Sequence, residues 1–182
     1  MVWGDVETDG LIAHKQILLE VAFVVTDLNM NLLDETGYQA KILYPAERLA
    51  RARAQADPFV QNMHDVSGLW SACSDPDDAK PIAQVEAEAL AYIRSFVPKA
   101  KTARLAGNSV RLDLNFLDQH LPGVTAHLHY RMTDVSTVTG LAQWWMGLEP
   151  FPKARAHTAM ADIRESIAEL AYLRANIFQP AA

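Results

Sequence analysis

The sequence predicts an α/β protein, one sheet carrying helices on both faces. Two observations point there. Residues 2–44 hold three apolar, β-branched-rich stretches separated by turn residues, the pattern of a strand meander. Beyond Pro45, stretches with helical apolar spacing alternate with two short strand-like runs, at 103–107 and 129–134. No internal repeat, low-complexity tract or long linker interrupts the 182 residues, so a single domain over 1–182 is expected.

In chain order, residues 2–11 form the first strand, and Gly10 permits the tight turn that follows. Residues 17–26 are a long, mostly buried strand. Asp27 to Asn31 has hairpin-loop chemistry, and residues 37–44 form the third strand. From Pro45 to Met63 the composition shifts to helix formers, broken at Asp57-Pro58. Arg48, Arg51 and Arg53 read as a solvated helix face. Residues 71–80 are a polar loop whose acids at 75, 77 and 78 lack the spacing of a calcium loop. Pro81 suits a first helical position, and Ile82, Val85, Ala89, Ile93 and Phe96 make an apolar stripe. After the strand at 103–107, Asn108-Ser109 is placed to cap a helix that buries Phe116 and Leu117 and ends at Pro122-Gly123. The strand at 129–134 leads to a helix opened by Asp134 or Ser136 and carrying Val138, Leu141 and Trp145. The last helix turns Ile163, Ile167, Leu170 and Leu173 to one side.

Composition excludes several classes. One cysteine, Cys73, permits neither an internal disulfide nor a cysteine-based zinc site, and fits a reducing, cytoplasmic setting. No secretory pattern opens the chain, and no apolar run approaches the ~20 residues of a membrane span. The formal net charge of -6 argues against a long basic groove following nucleic acid, though not against a short nucleotide held through bound cations.

The first strand carries the chemistry. Asp5 and Glu7 project from the same face because strand side chains alternate. Two like charges side by side are unfavourable unless a cation lies between them, and a hard divalent ion suits carboxylate oxygens. Taken alone, the pair could equally be a solvated strand edge. Asp113, near the start of its helix, and Asp162, at the edge of the last helix's core face, can join it. His157 lies five residues before Asp162, and so reaches the same space from the preceding loop, with Thr158 as helix cap.

The ordered set Asp5-x-Glu7, Asp113 and His157-x-x-x-x-Asp162 resembles the DEDDh family of 3′→5′ exonucleases and, within it, the oligoribonuclease family. The likeness extends to Ser67-Gly68-Leu69 after His64, Gly107-Asn108-Ser109, the stretch from His129 to Thr137, and the final helix. It implies a ribonuclease H-like mixed sheet of the DnaQ-like exonuclease type. It further implies two divalent cations, Mg²⁺ or Mn²⁺, on Asp5, Glu7, Asp113 and Asp162, with His157 as general base. The substrate would be short single-stranded RNA, chiefly dinucleotides, released as nucleoside 5′-monophosphates. By the same resemblance Leu11 wedges between bases, and Phe59 and His64 stack near the 3′ nucleotide. Ser109, Arg131, Ser136 and Thr137 cap the 5′ phosphate, and Tyr130 comes from the partner of a homodimer. As plain residues, Leu11 and Tyr130 could be core and Ser136 only a helix cap. The sequence departs from the family in three places: Thr8-Asp9-Gly10 follows the strand acids, Phe59 stands for a common Trp, and Ala161 for a second Asp. The Asp9 departure leans toward a general single-strand exonuclease or proofreading subunit. A binding module without catalysis is the more distant alternative.

Overall fold

The protein is described by a computed structural model covering residues 1–152 and 158–178. The expected meander is present as β1 (Val2–Thr8), β2 (Leu18–Val25) and β3 (Tyr38–Ile42). β1 pairs antiparallel with β2, and β2 with β3. β5 (Arg104–Gly107) joins β1 in parallel on its other side, and β6 (His129–Asp134) joins β5 in parallel. A two-residue β4 (Ala79–Lys80) pairs parallel with β3, giving a mixed sheet ordered β4-β3-β2-β1-β5-β6. The strand with the paired acids therefore lies in the sheet interior.

Period-two alternation sorts the core into two layers. Val21, Phe23 and Val25 of β2 pack with Val85, Ala89 and Ile93 of α4 (Ile82–Phe96), beside α1 (Ala46–Gln55), α2 (Pro58–Val66) and α3 (Leu69–Ala72). α5 (Arg111–His120) and α6 (Pro122–His127) close that face. Ala22 and Val24 point the other way with Trp3 of β1, against α7 (Val135–Met146) and α8 (Ala159–Ile177). Asp5 and Glu7 share Trp3's parity, so the strand turns its acids toward the layer that contains α8. β1 and β5 approach closely: a Cβ on Gly107 would lie 3.0 Å from the Gly4 carbonyl oxygen, so any side chain there would push the two strands apart.

Three local expectations are corrected. The segment read as a polar loop over 71–80 ends in β4 and begins inside α3, because pairing with Lys41 and Ile42 overrides its polar composition. Pro122 opens α6 rather than simply ending α5. Neither Asn108 nor Ser109 caps α5, whose N-cap is Val110, because their polar groups are committed to α7 and α8. Trp145 is 77% exposed, since the buried face of α7 is centred on Val135 and Ala142. Asp134 does cap α7, accepting the Ser136 N–H at 3.0 Å.

Candidate active site

The residues that sequence reasoning scattered along the chain meet at β1. Ligand oxygens of Asp5, Glu7 and Asp162 all lie within 4.8 Å of one another. Asp162 reaches them from the first turn of α8, which crosses the acid-bearing face. Asp113 arrives from the first turn of α5, and its Oδ1 accepts the Val6 N–H at 3.1 Å, between the two strand acids. Both helices present their N-terminal ends to the strand, where the positive end of the backbone dipole favours carboxylates.

The electrostatics are those of an anionic pocket. Burial, then Asp113, Glu7, Asp162 and Glu20, hold the Asp5 carboxyl well above the ordinary carboxylate range. Burial and the charges of Asp162, Glu20 and Asp113 push Glu7 up to about 8. Burial also raises Asp113, against the lowering effect of its backbone hydrogen bonds. Such acids hold their protons until a cation replaces them. All-oxygen donors at this density fit a hard divalent ion such as Mg²⁺ or Mn²⁺ and not a soft metal.

Glu20 is a neighbour that sequence reasoning missed. Directly opposite Glu7 in the β1–β2 register, it is 4% exposed; burial raises its carboxyl, and the nearby Gln39 side chain, Lys41 charge and Ala159 backbone N–H oppose that rise. Thr158 occupies the N-cap of α8 without a side-chain hydrogen bond, and Glu20 is the carboxylate that lies near this helix start. A lone acid among β-branched residues gives no sign of this, because the partner is far away in sequence. Beside these two acids a cavity of about 230 Å³ is lined by Gln39, Lys41, Ser67, Leu69 and Thr158.

The remaining predicted residues fall into three places. Leu11, 73% exposed, projects from the loop after β1, and Phe59 is exposed on α2. Leu11 is thus not core. His64 is 1% exposed, with Nε2 2.9 Å from the Thr8 carbonyl oxygen and its ring edge-on to Trp70. Placed there, the ring holds the end of β1. Asp9, the departure from the family, is also spoken for: its Oδ1 accepts the Ile17 N–H at 2.6 Å and closes the loop behind Leu11.

Ser109, Ser136, Thr137, Arg131 and Tyr130 gather at the β5–β6 side. Ser109, in the left-handed region at φ 51°, donates its N–H to Ser136 Oγ at 2.9 Å and to Asp134 Oδ1 at 3.2 Å. Tyr130 is 75% exposed, its ring stacked on His129 and facing the Arg131 guanidinium at 5.4 Å. It too is not core. His157 lies outside the described residues. The other histidines serve structure or surface: His120 and His127 bond the carbonyls of Gln16 and Val97, and His129 Nδ1 accepts the Arg131 N–H. Among the described residues no helix is long and apolar enough to cross a membrane.

Known proteins resemble this chain in sequence and in fold. The family model for exonucleases of the RNase T type matches residues 2–170. The oligoribonuclease of Rhodococcus jostii is 41% identical over 99% of this chain and 88% of its own. That of Aliivibrio fischeri is 38% identical over 98% and 95%. Among solved structures, Escherichia coli exonuclease I in complex with a dT13 oligonucleotide superposes with a TM-score of 0.68 at 14% identity, over 95% of this chain. The chain spans 40% of that longer enzyme, and the likeness is one of fold. By sequence over nearly its whole length, the chain belongs to the RNase T-type exonuclease family and, within it, to the oligoribonucleases, 3′→5′ exonucleases that act on RNA.

Proposed function

We propose that this enzyme degrades very short single-stranded RNAs, chiefly dinucleotides, from the 3′ end to nucleoside 5′-monophosphates. The observation that carries the reading is the convergence of Asp5, Glu7 and Asp162 within 4.8 Å, with Asp113 bonded to the backbone between the first two. These four carboxylates would hold two divalent cations, Mg²⁺ or Mn²⁺. When bound, such ions lower the pKa of the attacking water and offset charge on the leaving oxygen.

The chain's own groups do the rest. His157 takes the proton of the attacking water as general base; a neutral imidazole with the usual pKa of ~6.5 suits this near neutrality, so activity falls in acid. The water oxygen joins phosphorus, the bond to the 3′ oxygen breaks, and that oxygen leaves as a hydroxyl after taking a proton. Leu11 and Phe59 lie against the bases. Ser109, Arg131, Ser136 and Thr137 enclose the 5′ phosphate, and Tyr130 enters from the partner of a homodimer. A closed end of this kind excludes longer chains, and few phosphates then need neutralising, in keeping with the formal net charge of -6.

The second reading is a general single-strand exonuclease, favoured by the fold likeness to a structure holding a dT13 oligonucleotide. Asp9 lends it no weight, since its carboxylate is engaged with Ile17. A chain-length series of 5′-labelled RNAs, with products followed over time, separates the two. Rates falling steeply from two residues to seven support the proposal, and similar rates at both lengths overturn it. An intact dinucleotide after incubation with Mn²⁺ would leave a binding module.

A further inference from the structure

Behind the Ser109–Ser136 pair runs a buried polar chain that the catalytic reading does not use. Asn108 Nδ2 donates to Glu169 Oε2 and to Ser166 Oγ, both at 2.9 Å. Glu169 Oε1 accepts the Thr139 hydroxyl at 2.7 Å. Glu169 and Ser166 lie on α8 and are both buried. On its other side Asn108 Oδ1 accepts the Ser136 hydroxyl at 3.0 Å. Ser136 Oγ in turn receives the Ser109 N–H.

Donor and acceptor inventories give this chain a direction. An ionised carboxylate can only accept, so Glu169 compels the amide of Asn108 to turn its NH₂ inward. Oδ1 must then face Ser136, whose single proton is consumed by it. The Ser136 oxygen is left with lone pairs for the Ser109 N–H, 2.9 Å away. The Ser109 hydroxyl, 3.3 Å from Ser136 Oγ, is left at the open end of the chain. Flipping Asn108 would place its NH₂ against the Ser136 hydroxyl and scramble that order.

We infer that Glu169 is a positioning residue for substrate selection: through Asn108 it fixes Ser136 and, against it, the Ser109 hydroxyl, the donor of the pair left for the 5′-terminal phosphate of a short RNA. This deepens the proposed function and rests on Ser109 and Ser136 forming the phosphate cap. The same helix carries Asp162, so one rigid element sets both the metal-facing acid and the far end of the substrate. The distance between cleaved bond and cap is thereby fixed in hardware.

The test compares wild type, Glu169→Ala and Glu169→Gln on diribonucleotides with and without a 5′ phosphate. Two quantities are read: kcat and KM with Mn²⁺, and calorimetric binding of both dinucleotides in metal-free buffer. Glu169→Ala should raise KM for the phosphorylated substrate by about tenfold with a smaller change in kcat, and weaken its metal-free binding similarly. Glu169→Gln should recover most of this, because Gln Oε1 can accept from Asn108 while its NH₂ donates to the Thr139 hydroxyl. Unchanged preference for the phosphorylated dinucleotide in Glu169→Ala overturns the inference. So does equal damage on both substrates with Gln no better than Ala, the signature of a residue that only supports the fold. If wild type itself ignores the 5′ phosphate, the cap reading fails first and the inference falls with it.

Discussion

Ionised carboxylates packed as closely as Asp5, Glu7 and Asp162 repel one another, and the protonated form is the one the folded chain favours without metal. The sign for stability follows. Glu7 titrates at about 8 in the fold against an ordinary 4.5, so the folded state binds the proton more tightly than the unfolded chain. That contribution is fully present below the ordinary value and is lost as pH rises through the folded one. Calorimetric melting of chelator-treated protein should therefore give a Tm that falls from mildly acidic to mildly alkaline buffer. Mn²⁺ should restore it mainly on the alkaline side; a flat profile would contradict the assignment of these acids. Asp5→Asn separates function from stability at the same spot. It should cut kcat by roughly three orders of magnitude or more while raising the metal-free Tm, since the neutral amide needs no proton taken up on folding. The strand pair was legible from sequence because period two alone puts residues 5 and 7 on one face. The side chains of Glu20 and Glu169 were not legible, because nothing local to a β2 acid names Ala159 as its partner, nor to an α8 acid Asn108.

At the level of elements, α8 is the piece that must be placed correctly. Its N-terminus meets β2 through Glu20, its first turn delivers Asp162, and its third and fourth turns carry the Ser166–Glu169 anchor. Glu20→Ala and Glu20→Gln both remove the charge beside Glu7, but only Gln keeps an acceptor for the Ala159 N–H. The Gln variant should be more stable than Ala by about 1 kcal/mol in urea unfolding without metal. Equal stability would show that the cap contributes nothing. Strands and long helices were readable because their apolar periodicity survives any tertiary context. The misread pieces were those whose state is decided elsewhere: β4 exists through β3, and Asn108 and Ser109 leave α5 uncapped because α7 and α8 hold their polar groups. Helix position made Asp113 and Asp162 candidates, and the resemblance tied them to the strand acids, since no local pattern says which helix ends will meet a strand more than a hundred residues away.

Across the whole molecule, the acid centre lies at the middle of the sheet and the Tyr130–Arg131 group on its outer strand. If a second subunit supplies Tyr130, Tyr130→Ala should lower dinucleotide hydrolysis by roughly a hundredfold or more while leaving the melting curve in place. Wild-type rates would remove the tyrosine from the reaction, and sedimentation would report whether pairs persist. On the opposite face, Cys73 is fully buried, donates to the Leu19 carbonyl at 3.4 Å and has its thiol pushed up to about 12 by burial. As the sole sulfhydryl in the chain, it is a silent internal clock. Alkylating reagents will mark the protein only as often as the end of α3 parts from β2, so labelling rates read out the loosening of the layer packed on the strand beside β1. A thiol introduced anywhere on the surface would be tagged long before it.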